Sequence, residues 1–275
     1  MTVVNTARRG AWQTVTSGPM VWLTRVGFLG YGLLHLAVGW LAVQIALGRP
    51  HDEGSQSGAF RTLAGQPFGR FLLIVVAVGL AAMALWQLVL AAVGHREERG
   101  RARTFERLAS LGRVVVYTAL AWTAVRVVAG TPTSSAQQQQ SATAGVLAHP
   151  SGRLLVAVAG LAVAALGVGM LVYGFKRKFM RKLATGRMSH TTRTTAGRLG
   201  RVGYIAKGVA FAIVGLLLFQ AAVTQDPGKS RGLDAALHEL SIQPFGRFLL
   251  LLVAVGFVAF GVYCFFQARY RQVTR

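Results

Sequence analysis

The sequence predicts an all-α membrane protein: six transmembrane helices forming three parallel two-helix repeats in a pseudo-threefold bundle. Three observations predict it. Hydrophobic residues make up 53% of the 275-residue chain and charged residues only 14%, too few charges to coat a soluble domain of this size. The apolar residues gather into runs long enough to cross a hydrocarbon core about 30 Å thick. Two short motifs also recur three times each in the same order, the mark of a repeat architecture.

The runs place spans at 26–47, 71–93, 114–130, 154–175, 202–223 and 248–268. The third is the shortest and carries Arg126 near its end. Lys and Arg in the short loops orient the chain. Residues 94–113 hold Arg96, Arg99, Arg101, Arg103, Arg107 and Arg113, and residues 176–201 hold nine more from Lys176 to Arg201. With Arg8, Arg9, Arg25, Arg269, Arg271 and Arg275, one side carries 21 basic residues. The other side carries 7: Arg49, Arg61, Arg70, Arg153, Lys229, Arg231 and Arg247. Both termini are therefore expected in the cytoplasm, in a bacterial inner (plasma) membrane. Arginine outnumbers lysine, and Ala, Val and Gly are abundant, as in a high-GC bacterial genome.

The formal net charge is +22. In a soluble protein this would suggest nucleic acid. Here the basic residues flank apolar runs, where they mark topology and meet anionic headgroups, so nucleic acid is not expected. The lone Cys264 excludes an intrachain disulfide and reads as a small core residue. No cleavable signal peptide is expected, because the first apolar run is too long and lacks an Ala-x-Ala site.

Gln66-Pro67-Phe68-Gly69-Arg70-Phe71-Leu72-Leu73 returns as Gln243-Pro244-Phe245-Gly246-Arg247-Phe248-Leu249-Leu250, and a degenerate middle copy reads His149-Pro150-Ser151-Gly152-Arg153-Leu154-Leu155. Leu23-Thr24-Arg25-Val26-Gly27 likewise returns at Leu111-Gly112-Arg113-Val114 and Leu199-Gly200-Arg201-Val202-Gly203, its arginines 88 residues apart. Each unit crosses twice, so all copies enter in the same sense and are related by an axis along the membrane normal. The divisions are a cytoplasmic segment 1–22, repeats at 23–98, 107–182 (degenerate, with the run Gln137–Gln140) and 197–270, and a tail 271–275.

The Arg-x-Gly-aromatic start of a first helix and the loop from Gln56-Ser57-Gly58-Ala59 to Pro67-Phe68-Gly69-Arg70 resemble a bacterial family, largely actinobacterial. Its members are three-repeat integral membrane proteins classed as a domain of unknown function. The resemblance spans about Leu23 to Tyr270. It implies the repeat fold and carries no activity.

Proline at a span start suits the first helical turn. Arg70, Arg153 and Arg247 then read as headgroup anchors, or as an outer vestibule for an anion or lipid phosphate. In the vestibule reading Arg70 and Arg247 are held by loop carbonyls, a lipid phosphate, Asp234 or Glu239. Short amphipathic stretches precede each intact motif: Ala59, Phe60, Leu63 and Ala64, then Leu233, Ala236, Leu237 and Leu240. Their apolar faces are expected in lipid or against the bundle.

Ionisable groups inside a span are costly and mark candidate sites. The candidate intramembrane polar site comprises His35, Gln44, Gln220 and Lys207. His35 lies mid-span and reads equally as an interhelical hydrogen bond or as a ligand or proton site. Lys207 and Arg126 could snorkel to opposite faces. Gln44 and Gln220 each follow their repeat's first arginine by 19 residues, and interhelical hydrogen bonding explains them. Gly27, Gly30, Gly32 and Gly39, with Gly203, Gly208 and Gly215, form stripes for close helix packing.

Phosphate loops, nucleophile elbows, c-type haem motifs and metal-ligand constellations are missing from the sequence, and no expected span carries an acidic residue. No enzyme and no cofactor are expected. The leading reading is a non-enzymatic scaffold, assembly factor or accessory subunit that binds membrane lipids, anionic ones included, or a membrane-protein partner. The alternative is a small-solute or ion pathway along the pseudo-threefold axis; an intramembrane enzyme ranks third.

Overall fold

The computed structural model describes residues 18–48, 53–93, 100–131 and 133–272. Arg8, Arg9, Arg49, Arg96, Arg99 and Arg275, counted above for topology, lie outside these residues. Each repeat is a long helix, a short helix and a second long helix. Repeat 1 comprises α1 (Gly18–Ala46), α2 (Gln56–Ala64) and α3 (Gly69–Val93). Repeat 2 comprises α4 (Arg101–Val128), α5 (Ser135–Leu147) and α6 (Gly152–Phe175). Repeat 3 comprises α7 (His190–Thr224), α8 (Leu233–Ile242) and α9 (Gly246–Tyr270). All six long helices have the length and apolarity to cross a membrane. One end of the bundle, the terminal face, carries the start of α1 and the end of α9; the other, the short-helix face, carries α2, α5 and α8.

Three spans run longer than the sequence predicts, the first beginning at Gly18. The third begins at Arg101 and the fifth at His190, because the basic segments before them continue the helix instead of forming loops. Ser189 caps the latter by accepting from the Thr192 amide. The longer α4 takes in Glu106, so one long helix does carry an acid, near its terminal-face end. The glutamine run Gln137–Gln140 sits inside α5, with Ser134 as N-cap.

Packing between repeats closes the ring. The second long helix of each repeat packs on the first long helix of the next: α3 on α4, α6 on α7, and α9 back on α1. A heptad stripe of small residues makes these seams. It reads Ala77, Ala84 and Ala91 on α3, Gly160, Gly167 and Gly174 on α6, and Ala254, Gly261 and Ala268 on α9. On α7, Gly208 and Gly215 receive the stripe, and on α1 the equivalent Gly32 and Gly39 do so. A Cβ added at Gly167 would lie 2.4 Å from the Ala212 nitrogen, and one at Gly215 2.2 Å from that of Ala164. The backbones touch. In membranes such approach supplies the dispersion contacts that association depends on, because lipid is as apolar as leucine.

Within repeats the pairing is unequal. In repeat 1, α1 and α3 cross where Gly30 meets Gly79, and in repeat 3 α7 and α9 cross at the equivalent Ala206 and Gly256. The corresponding residues of repeat 2 are Thr118 and Ala162, and both are exposed. There α4 and α6 part. The pseudo-threefold ring therefore has one open wall, and it lies in the degenerate repeat.

The Pro-x-Gly-Arg turn is dictated by crowding. A Cβ at Gly69, Gly152 or Gly246 would fall 1.8, 1.7 or 2.4 Å from the carbonyl oxygen of Leu63, Val146 or Ser241 at the end of the preceding short helix. Only glycine lets the long helix start there. In the intact copies the preceding Phe68 and Phe245 take φ of 60° and 62°, a left-handed conformation costly for a bulky residue. Their rings are 85% and 84% exposed, projecting as interfacial aromatics do. Ser151 sits there at φ −88°, unstrained.

The seams give a direct test. Gly167→Ala and Gly215→Ala should each cost about 1–3 kcal/mol through overpacking, read as a lower thermal midpoint in detergent. Gly169→Ala on the outer face, where a Cβ meets nothing within 4 Å, should leave the midpoint unchanged or raise it.

Candidate functional site

Behind the open wall is a chamber of about 220 Å³ on the bundle axis. The first helices of all three repeats line it: Tyr31, Leu34, His35 and Val38 from α1, Val116 and Leu120 from α4, and Lys207, Ala210, Phe211 and Val214 from α7. Phe257 of α9 closes one side, and Gln56 of α2 and Gln139 of α5 reach in from the short-helix face. Val116 and Phe211, which flank the opening, are 54% and 38% exposed.

Lys207 and Tyr31 hold equivalent positions, each six residues after its repeat's first arginine, and they meet at the axis. The ammonium donates to the Tyr31 hydroxyl at 2.8 Å and lies 4.1 Å from the Phe260 ring centroid, a cation–π contact. Lys207 therefore turns inward instead of snorkelling: it is 6% exposed. No acidic residue lines the chamber. His35 donates from Nδ1 to the Tyr31 carbonyl, one turn back, at 2.8 Å, so its hydrogen bond stays within α1. That bond fixes the tautomer of the neutral ring and leaves Nε2 as an acceptor.

The chamber has a floor of aromatic side chains. Tyr31 packs edge-on against Tyr117 (5.3 Å) and Phe260 (6.0 Å). Below them Tyr204, Tyr263 and Phe179 continue to the terminal face. Phe179, from the turn Lys178–Lys182, is fully buried against Gly200, where a Cβ would meet its ring at 2.4 Å.

Its roof is polar. The Glu53 carboxylate, in the loop before α2, accepts from the hydroxyls of Ser55, Ser57 and Ser134 and from the Ser135 amide at 3.0 Å. Arg61 donates to the Thr133 carbonyl. These bonds tie repeat 1 to repeat 2. Asp234 accepts from the Gly54 amide at 2.6 Å and pairs with Arg231 at 3.0 Å, which ties in repeat 3. Gln139 lies against Gly232, whose φ of 61° and missing Cβ make room for it. The predicted amphipathic stretches face inward to support this roof: Ala59, Phe60, Ala236 and Leu237 are buried.

The other predicted residues do not join the chamber. Gln44 is half-buried, its Oε1 without a hydrogen-bond partner, and Gln220 is exposed. Arg70, Arg153 and Arg247 are all exposed. Arg153 reaches the Val223 carbonyl at 3.4 Å, while Arg70 and Arg247 make no protein hydrogen bond or ion pair among the described residues. The expectation that Asp234 and Glu239 hold those two arginines fails, because Asp234 is engaged as above and Glu239 accepts from Gln243. Basic residues converge instead at the terminal face. Arg25, Arg187, Arg269 and Arg271 line a hollow of about 270 Å³ there with no acidic residue. A larger, open depression of about 570 Å³ beside α8 carries charges of both signs.

Sequence reasoning missed Tyr31, Tyr117, Gln56, Gln139 and Phe257. The usable signal was the sixth position after the motif arginine in repeats 1 and 3, Tyr31 and Lys207, which faces the chamber; the same position in repeat 2, Ala119, is exposed.

Fold and site define a class: a six-helix membrane protein of three tandem repeats around a laterally open axial chamber. The chain belongs to the family described as Domain of Unknown Function (DUF1206), whose model matches residues 26–94, 108–177 and 202–271, once per repeat. It is 33% identical over 258 residues to the uncharacterized protein YxxB of Bacillus subtilis (strain 168), covering 92% of this chain and 93% of that protein. No solved structure matches.

The roof titrates with a defined sign. Burial alone would raise the Glu53 pKa, but the bonds from Ser134, Ser55 and Ser57 and the charge of Arg61 outweigh it and hold the carboxyl below its ordinary value of 4.5. The stabilisation is therefore complete above that value and is lost as pH falls through the lower folded-state pKa. Amide protection across 53–58 and 133–138, corrected for the intrinsic exchange rate at each pH, should fall over that acid interval. At neutral pH Glu53→Gln should cost about 1–3 kcal/mol. Arg70→Gln and Arg247→Gln, at positions with no partner among the described residues, should each change thermal stability by less than about 0.5 kcal/mol.

Proposed function

We propose that this is a non-enzymatic membrane protein that binds a lipid-phase amphiphile in its axial chamber and serves as a scaffold or accessory subunit for the process using that ligand. One observation carries the reading: the chamber is roofed by a hydrogen-bonded cap, floored by packed rings and open sideways between α4 and the α6–α7 pair. A molecule dissolved in the bilayer reaches such a site without crossing water. An apolar wall with a few convergent polar groups is also the usual composition of a small-molecule site. A solute pathway along the axis is the less favoured reading, since the floor would have to part Tyr31, Tyr117 and Phe260.

The same proposal sets the protein in a bacterial plasma membrane with the terminal face cytoplasmic. The excess of Lys and Arg on that face supports this, as does the arginine-lined hollow, which suits anionic headgroups of the inner leaflet. Membrane lipids and a membrane-protein partner are the proposed partners. Single cysteines at Gln138 or Glu239 should react in intact cells with an impermeant thiol reagent, and one at Arg187 should not; the native Cys264 is buried and stays silent. The reverse pattern would invert the topology.

The binding reading is tested at the opening. Native mass spectrometry of gently extracted protein should show a bound amphiphile. Val116→Trp, which fills the entrance from an exposed position, should cut occupancy at least fivefold without moving the thermal midpoint. An empty wild-type protein whose proteoliposomes leak small solutes, with the leak blocked by Leu120→Trp, would replace this reading with the pathway.

A further inference from the structure

The chamber chemistry narrows the ligand class, and the narrowing rests on the lipid-phase reading above. We infer that the ligand is an amphipathic anion, a carboxylate or phosphate on a hydrocarbon tail, whose headgroup seats on Lys207 and whose tail leaves between α4 and α6.

Charge balance comes first. A lysine at this depth is expensive to keep ionised, and spans normally pair such a group with an acid or place it in a water-filled cavity. Here the partners are one tyrosine hydroxyl and two aromatic faces. They use one of three ammonium donors and supply no formal negative charge. Of the described acids on the short-helix face, Glu53 and Asp234 are engaged in the roof, Asp226 accepts from the Gly228 amide and Glu239 from Gln243, and Glu106 lies beyond the aromatic floor near the terminal end of α4. The missing counter-charge is what an anionic headgroup brings.

The remaining polar groups complete the cradle. Gln56 and Gln139 project from the roof side and His35 from α1, so donors and an acceptor surround the space that Lys207 faces. Carboxamide donors suit carboxylate or phosphate oxygens, and the His35 Nε2 acceptor suits the hydroxyl of a protonated phosphate or a bound water. Size fixes the rest. At 220 Å³ the chamber equals about seven molecules of liquid water, enough for a headgroup and a few carbons but not for a lipid chain. The chain must extend through the open wall, past Val116, Leu120, Phe211 and Val214. These are apolar, as a tail requires.

Full-length protein in neutral-lipid nanodiscs is titrated with oleate, oleyl phosphate and oleyl alcohol, and separately with acetate and inorganic phosphate. At least one oleyl anion should bind ten or more times tighter than the alcohol. Lys207→Met should erase that difference, leaving anion and alcohol alike, while Lys207→Arg should keep part of it. The methionine variant removes an unpaired buried cation, so its thermal midpoint without ligand should hold or rise, which separates lost binding from lost folding. If anions and alcohol bind equally to wild type, or the preference survives Lys207→Met, this inference is wrong and the lipid-phase reading stands. If no oleyl compound binds, the lipid-phase reading itself is wrong. Tailless phosphate or acetate binding as tightly as its oleyl counterpart would make this an aqueous anion site entered from the short-helix face, and would overturn the tail route.

Discussion

Backbone-to-backbone contact at the seams between repeats is the constraint on which the rest of the structure depends. Three helix pairs, each drawn from neighbouring repeats, are held by small residues seven apart on one helix, and on α7 and α1 by glycines on the receiving helix. Because 3.6 residues make a turn, a seven-residue spacing keeps one face aligned over nearly two turns. The seam thus fixes both the closeness and the register of each pair. With the seams fixed, α1, α4 and α7 point their opposite faces at the axis, and Tyr31, Tyr117 and Lys207 have nowhere else to go.

The seams also explain how one repeat can diverge while the ring stays closed. Contacts between repeats suffice to hold α4 on α3 and α6 on α7, so the crossing inside repeat 2 was free to drift. Replacing a glycine-sized contact by Thr118 and Ala162 removes the close approach that α1 and α3 enjoy at Gly30 and Gly79. Without it the two helices separate. The same repeat lost the strained aromatic of its turn, where Ser151 stands, but kept Gly152, because the backbone collision with Val146 applies however degenerate the sequence becomes.

Much of this was legible in the sequence. The spans, the three repeats and the glycine stripes follow from hydropathy, period and residue size, which are local properties. What could not be read is which residues meet across the axis. Lys207 and Tyr31 are 176 positions apart, and Lys207 could equally have snorkelled to the near face; only the packing of α9, which brings Phe260 beneath the ammonium, turns it inward. The starts of α4 and α7 were misplaced for a related reason. A hydropathy window reports where lipid begins, and a helix rich in arginine continues well outside it. The outer arginines were overvalued because repetition in sequence was read as convergence in space. The turn geometry repeats them, but all three are exposed and only Arg153 reaches back to a described protein group, the Val223 carbonyl.

The open wall belongs to only one of three repeats, and that has a consequence for stoichiometry. A homotrimer of two-helix subunits obeying the same symmetry would have three doors or none, and any lysine on its axis would appear three times, each repelling the other two. Fusing the units into one polypeptide lifts that rule. A single door and a single axial ammonium can then coexist with an otherwise repeated frame, so each molecule presents one opening and one buried charge.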